Sequence, residues 1–380
     1  MEYKHRTLEG YLSKQLGMGK AIVIYGPRQA GKTTLAKRLL QRYNAKDIAS
    51  YQADDPSQAQ LFSPNTDVLG RIVLGKKVLF IDEAQMIQNA GLVLKLLVDT
   101  YPHVQVIATG SSSFVLSDKI KESMVGRVTP VTLYPFSVEE LATDGKDKLL
   151  FDLDRFLMFG GYPGVILQDD ITAKTTLNTI TDNYLFKDIL NLVDTRNPEM
   201  LKKLLIALSL QVGQEVSYNE LANTLDVSRT MVERYIYLLE QSYVIFRLDP
   251  LSSNPRKLLA SRKRKVYFYD LGIRNVLAGQ QNVPIELNNQ LGGIFENFCI
   301  LERLKMMQNH RLYANKYYWR SPDSEVDYLE QYGGHNYAYE IKWKKEQKKA
   351  PLKFTSQFKK AQFKGINKDN YWDLLEKDIK

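Results

Sequence analysis

The chain has 380 residues, 44% hydrophobic and 25% charged, the composition of folded protein with real cores and enough chain for about two to four domains. Its single cysteine, Cys299, excludes an internal disulfide and a cysteine-rich zinc site. With no secretory apolar core and no run of membrane-spanning length, a cytoplasmic protein with no membrane contact is expected, and the net charge of +9 with 23 tyrosines favours a polyanion such as DNA as partner.

The first informative element is the apolar run Ala21-Ile22-Val23-Ile24-Tyr25, which reads as a buried strand. It leads into Gly26-Pro27-Arg28-Gln29-Ala30-Gly31-Lys32-Thr33, followed by the helical stretch from Thr34 to Leu40. Strand, glycine-bounded turn and helix form a cradle for a nucleoside triphosphate. Gly26 and Gly31 let the backbone bend so that successive amides face phosphate oxygens, and the helix start adds its positive dipole end. Lys32 is placed for the β- and γ-phosphates and Thr33 for Mg²⁺, so ATP and Mg²⁺ are the expected cofactors, with Thr34 flanking the loop.

A second strand, Lys77 to Ile81, ends in Asp82-Glu83. Asp82 is expected near the metal shell and Glu83 as the group that polarises the attacking water. A third strand, His103 to Ala108, ends in Thr109-Gly110-Ser111, where Thr109 or Ser111 is expected to sense the γ-phosphate; an ordinary serine-rich turn fits equally well. Arg127, after a predicted helix, is a candidate for stabilising transition-state charge in its own chain or a neighbouring copy.

Residues 137–200 read as helical, broken at Gly160-Gly161-Tyr162-Pro163-Gly164. A small lid over the nucleotide fits, and the glycine pair predicts close backbone approach or a hinge. From residue 201 the pattern changes. Ser217 caps a short helix, Asp226-Val227 turns, and Ser228 opens a longer helix, with Val244–Leu248 and Lys265–Asp270 as wing strands. This reads as a winged helix-turn-helix with Ser228, Arg229 and Arg234 facing DNA, although such modules also bind proteins. Two basic clusters, Arg256, Lys257, Arg262, Lys263, Arg264 and Lys265, then Lys342, Lys344, Lys345, Lys348, Lys349, Lys353, Lys359 and Lys360, read as nucleic-acid contacts or solvated faces.

Near the C-terminus an apolar helix over 286–308 carries Glu296 beside its stripe. Strands containing Glu325-Val326-Asp327 and Glu340-Ile341-Lys342 follow, joined at Gly333-Gly334. Period two sets Glu340 and Lys342 on one face, where Asp327 can converge. Two carboxylates there can hold Mg²⁺ and activate a water that the lysine orients. A solvated hairpin of alternating charge has the same spacing; the half-buried Val326, Ala338 and Ile341 favour a site.

Taken together, GPRQAGKTT at 26–34, VLFIDEAQ at 78–85, ATGSSS at 108–113, GR at 126–127, GGYP at 160–163, YFYDLGIRN at 267–275, FEN at 295–297, EVDYL at 325–329 and EIK at 340–342 resemble the prokaryotic AAA-type ATPases with a C-terminal restriction-endonuclease-like domain. The resemblance implies an α/β chain with a P-loop NTPase parallel sheet (1–136), a helical lid (137–200), a winged helix-turn-helix (201–272) and an α/β nuclease-like domain (273–380). It implies a metal site at Glu296, Asp327 and Glu340, with Asp327, Glu340 and Lys342 catalytic, although Val326 stands where the nuclease pattern often has proline. The expected function is a DNA-associated ATPase with a metal-dependent nuclease-like domain. The alternatives are an ATP-driven switch that binds a protein partner through an inactive scaffold, and a signalling ATPase without nucleic acid; self-association is compatible with each.

Overall fold

The computed structural model describes residues 3–111, 125–142, 153–185, 198–251, 263–344 and 347–376. Ser112 and Ser113, the helix expected before Gly126, and the basic residues Arg256, Lys257, Arg262 and Lys345 lie outside these. The chain divides into two units, Met1–Pro135 with Gln241–Tyr243, and Phe136–Glu240 with Val244–Lys380. No helix among the described residues is long and apolar enough to cross a membrane.

In the first unit five parallel strands, β1 (Ala21–Tyr25), β2 (Ile48–Gln52), β3 (Val78–Asp82), β4 (Gln105–Gly110) and β5 (Val128–Thr132), are ordered β2-β3-β4-β1-β5. Strand period two divides β1 between two cores. Ala21 and Val23 pack on the side of helices Thr66–Val73 and Ala90–Thr100, while Ile22 and Ile24 pack on that of Leu8–Gln15 and Lys32–Leu40. A parallel sheet covered on both faces explains the continuous apolar runs read from the sequence. Because β4 lies between β1 and β3, the loop after β1 and the carboxylates after β3 flank the end of β4.

In the second unit seven strands are ordered β12-β11-β10-β9-β7-β8-β6. They are β6 (Glu215–Ser217), β7 (Ile245–Pro250), β8 (Lys263–Phe268), β9 (Asn315–Ser321), β10 (Ser324–Tyr332), β11 (His335–Ile341) and β12 (Gln362–Ile366). The boundary expected at 272/273 does not break this sheet: β7 pairs in parallel with β9 through Asp249↔Tyr317 and Pro250↔Tyr318. Gly333 (φ 57°) and Gly334 (φ 81°) close the β10–β11 hairpin as the sequence anticipates. A register shift between Val326 and Leu329 sets Asp327 and Tyr328 at a bulge opposite β9, and both side chains are fully buried.

Helix Tyr218–Leu225 is capped by Ser217 and closed by Asp226 in the left-handed region (φ 53°), and helix Arg229–Gln241 follows Ser228. The segment expected as a lid packs within this second unit. Phe156, Leu157 and Ile166 share a core with Phe246, Tyr267 and Phe298, and Phe159, Tyr162 and Leu177 share one with Leu204, Ile236 and Phe268. The glycine pair answers to close approach. A Cβ on Gly160 would lie 2.2 Å from the Asp270 carboxylate, and one on Gly161 2.4 Å from the Phe136 carbonyl.

Asp270 accepts from the amides of Gly161 (2.8 Å) and Ile273 (3.1 Å) and caps helix Leu271–Leu277. Burial pushes its carboxyl up to about 6, against the pull of those amides. Asp270→Ala removes a cap and strips two buried amides of their acceptor, so urea denaturation is expected to show a loss of about 2–4 kcal/mol. Because the folded form holds its proton more tightly than the unfolded form, the contribution of Asp270 is present in full below about pH 4 and is lost as pH rises through about 6. The stability of the native chain relative to Asp270→Asn should accordingly fall between those limits.

Candidate functional site

At the end of β1, Gly26 (φ 143°) and Gly31 (φ 96°) adopt backbone angles that favour glycine, as does the exposed Gln29 (φ 62°). A Cβ on Gly26 would lie 2.1 Å from the carbonyl oxygen of Leu133. Pro27 and Ala30 are buried, Arg28 is half-buried, and Thr34 is exposed on the first helical turn. Arg6, which no sequence motif singles out, braces the loop: its guanidinium donates to the carbonyls of Ala30 (2.9 Å) and Tyr134 (2.6 Å). The Lys32 ammonium is buried and donates to the loop carbonyls of Gly26 (3.0 Å) and Pro27 (2.8 Å).

Two strand ends and the start of helix Lys32–Leu40 meet at Asp82. The Thr33 hydroxyl lies 3.0 and 2.9 Å from its two oxygens, and the Thr109 hydroxyl donates to Oδ1. Thr109 Oγ1 also accepts from the Glu83 amide (3.0 Å). Glu83 stands in the left-handed region (φ 52°, ψ 45°), a backbone cost that a site can retain for positioning. Gln85 donates from Nε2 to Glu83 Oε2 and to Ser111 Oγ (3.0 Å), so it links the expected water-polarising group to the expected sensor. Thus Thr33, Asp82, Glu83, Thr109 and Ser111 come together. Gln85 joins them without having been predicted; its place in the IDEAQ run, directly after the two carboxylates, is the signal that could have found it. Arg127 does not join them. It precedes the first residue of β5, its carbonyl accepts from Ala21 at the start of β1, and its guanidinium pairs with Asp99 (2.6 Å). The loop lies at the opposite end of these parallel strands.

The second unit also gathers its predicted residues, with an unpredicted one among them. Lys265 on β8, 1% exposed, places Nζ 2.9 Å from Glu296 Oε1 and 3.2 Å from Asp327 Oδ1. Tyr267, two residues on and therefore on the same strand face, donates to Glu296 Oε1 (2.6 Å). Asp327 Oδ2 accepts from the Ile341 amide (2.9 Å) and Lys342 Nζ (3.2 Å), and Lys342 lies 2.9 Å from Glu340 Oε1. Burial pushes Glu296 up to about 7, the charge of Asp327 adding to the effect and Lys265 and Tyr267 opposing it. Burial and Asp327 likewise raise Glu340. Burial works against the charge of Lys265, but Glu296 and Asp327 outweigh it and hold the ammonium above its usual range.

This overturns one expectation. Lys265 is not part of a solvated basic face. Among the described residues no group of three or more His, Cys, Asp or Glu side chains is arranged to hold a metal ion. An ammonium stands between two of the expected ligands. The other basic cluster does lie at the surface, with Lys344, Lys348, Lys349, Lys353, Lys359 and Lys360 exposed. Of the helix residues expected to face DNA, Ser228 and Arg234 are exposed and Arg229 pairs with Glu233 (2.8 Å).

The loop, its sheet order and the clustered hydroxyls and carboxylates have the form of a P-loop nucleotide site, and residues 18–142 match the AAA domain. Residues 150–283 and 291–370 match two domains of unknown function, DUF8612 and DUF4143. Among curated proteins, an uncharacterized protein of Mycobacterium tuberculosis is 29% identical over 346 residues, covering 90% of this chain and 74% of its own. An uncharacterized protein of Methanocaldococcus jannaschii is 27% identical over 349 residues, covering 86% and 75% respectively. Among solved structures, the Pif1 helicase of Candida albicans aligns at 15% identity with a TM-score of 0.27, covering 48% of either chain, so this chain spans about half its length. So loose a superposition says nothing of function.

Gly26→Ala drives a methyl into the Leu133 carbonyl and forces the loop to shift. Calorimetry is expected to show nucleotide binding weakened by about 10-fold or more, while the far-ultraviolet circular dichroism stays that of the native chain.

Proposed function

We propose that the first unit binds ATP with Mg²⁺ and hydrolyses it, and that the second unit is the effector that nucleotide occupancy switches. The observation that carries this reading is the convergence on Asp82 of the Thr33 and Thr109 hydroxyls, with Glu83 held beside it by Gln85. The donor set fits the cofactor: one hydroxyl and one carboxylate lie within hydrogen-bonding distance of each other, and a buried ammonium rests on carbonyls of its own loop. The loop amides and Lys32 would hold the phosphates, and Thr33 and Asp82 the metal. When bound, Mg²⁺ neutralises charge on the β- and γ-phosphate oxygens. Glu83 orients the attacking water and takes its proton at a carboxylate oxygen. Release of Glu83 by Gln85 leaves that oxygen open to the water, and Ser111 retains the Gln85 amide.

Lys32→Ala is expected to lower ATP turnover by ~10²-fold or more, measured by phosphate release. Unchanged turnover would defeat the assignment.

The effector reading rests on the second unit's surface. Helices Tyr218–Leu225 and Arg229–Gln241 with the antiparallel ribbon β7–β8 have the composition of a winged helix. The six exposed lysines between Lys344 and Lys360 supply a footprint for a phosphate backbone, so DNA is the partner we assign. Binding of duplex DNA should weaken steeply with salt. Replacing Lys348, Lys349, Lys359 and Lys360 with Gln should flatten the logarithmic slope by about 1 for each phosphate no longer neutralised. An affinity indifferent to salt would instead favour a protein partner.

A further inference from the structure

We infer that the ammonium of Lys265 occupies the place of a metal ion in the carboxylate cluster of the second unit, which makes that cluster a closed, metal-independent joint. The inference does not rest on the ATPase reading.

Both oxygens of Asp327 and one oxygen each of Glu296 and Glu340 are already taken. Glu296 Oε1 is taken by Lys265 (2.9 Å) and the Tyr267 hydroxyl (2.6 Å). Asp327 Oδ1 is taken by Lys265 (3.2 Å), and Oδ2 by the Ile341 amide (2.9 Å) and Lys342 (3.2 Å). Glu340 Oε1 faces Lys342 (2.9 Å), while its Oε2 is buried without a hydrogen-bond partner. A magnesium-type ion takes one or two carboxylates and completes a near-octahedral shell at about 2.1 Å with waters. Glu340 Oε2 has no open Asp327 oxygen beside it to share such an ion, and the space between Glu296 and Asp327 already holds a cation. That cation cannot swing aside as a surface lysine does. It is 1% exposed, anchored on a strand paired on both sides, and covered by the ring of Tyr318, whose centroid is 5.8 Å from Nζ. Lys342, 44% exposed, is the more movable of the two.

The arrangement ties three elements with one side chain. Lys265 comes from β8, Glu296 from helix Leu291–Asn309 and Asp327 from the bulge of β10. Removing the ammonium leaves two buried carboxylates facing each other across a gap. A divalent cation is the natural replacement, and this gives the test.

The full chain, free of nucleotide, is titrated with Mn²⁺ alone as the probe, and melting temperature and Mn²⁺ electron paramagnetic resonance are recorded. The native chain and Asp327→Asn should bind Mn²⁺ alike, because Asp327 offers it no place. Lys265→Ala should melt several degrees lower than the native chain and recover a substantial part of that loss on saturation with Mn²⁺. Adding Asp327→Asn to Lys265→Ala should abolish the recovery. Saturable Mn²⁺ binding by the native chain that Asp327→Asn removes would overturn the inference, as would indifference of folded Lys265→Ala to Mn²⁺. If Lys265→Ala does not fold, the comparison of the native chain with Asp327→Asn still decides the matter.

Discussion

A buried charge must meet its counter-charge or give up its own, and helix Leu291–Asn309 carries four acidic or basic side chains into the interior of the second unit: Glu296, Glu302, Arg303 and Lys305. Each is answered. Glu296 meets Lys265 and Tyr267; Arg303 forms a two-pronged pair with Glu330, both contacts 2.8 Å. Glu302 accepts from Lys305 (2.8 Å) and from the Val138 amide (2.7 Å), and Lys305 also donates to the Phe136 carbonyl (2.9 Å). Asn297 adds a neutral lock by pairing with both backbone groups of Phe268. These pairs tie the helix to β8, to β10 and to the backbone at Phe136 and Val138. An apolar helix would pack in many rotations; one with these demands packs in one.

Other buried polar residues of the second unit likewise bind backbone groups of distant elements. Asn275 donates to the carbonyls of Leu157 and Met158, and Arg274 to that of Ser209. Asp270 binds the Gly161 amide. The first unit shows the contrasting pattern. There the hydroxyls and carboxylates gather at strand ends around a glycine-rich turn, Glu83 bears an unfavourable backbone angle, and a buried lysine rests on carbonyls of its own loop. Both groups are polar and partly or wholly enclosed. They differ in whether the partners are fixed by distant elements or left to be displaced.

This contrast also explains what can be read from the sequence. The phosphate loop is legible because its strand, turn and helix are contiguous, and the order of β1, β4 and β3 places Thr109 where the motif reading needs it. Strand period puts Glu340 and Lys342 on one face where Asp327 can converge, and Glu296 is added by the resemblance. Their chemistry is not legible, because the deciding residue, Lys265, lies 31 positions from Glu296 and 62 from Asp327. Local charge makes Lys265 one of a basic run. Only the alternation Lys265, Tyr267 along a strand with two apolar neighbours hints that it faces inward. Arg127 is misplaced for a related reason: a spacing of one residue before a strand does not say which end of the sheet that strand begins on.

The parallel contact of β7 with β9 has a practical consequence for anyone dissecting the molecule. A fragment begun at residue 273 would surrender β6, β7 and β8 together and uncover β9 where Tyr317 and Tyr318 pair with Asp249 and Pro250. The same cut would take away Lys265 and strand Glu296 in an interior that no longer neutralises it. What looks from the chain order like a detachable terminal domain shares a sheet and a buried ion pair with the residues before it.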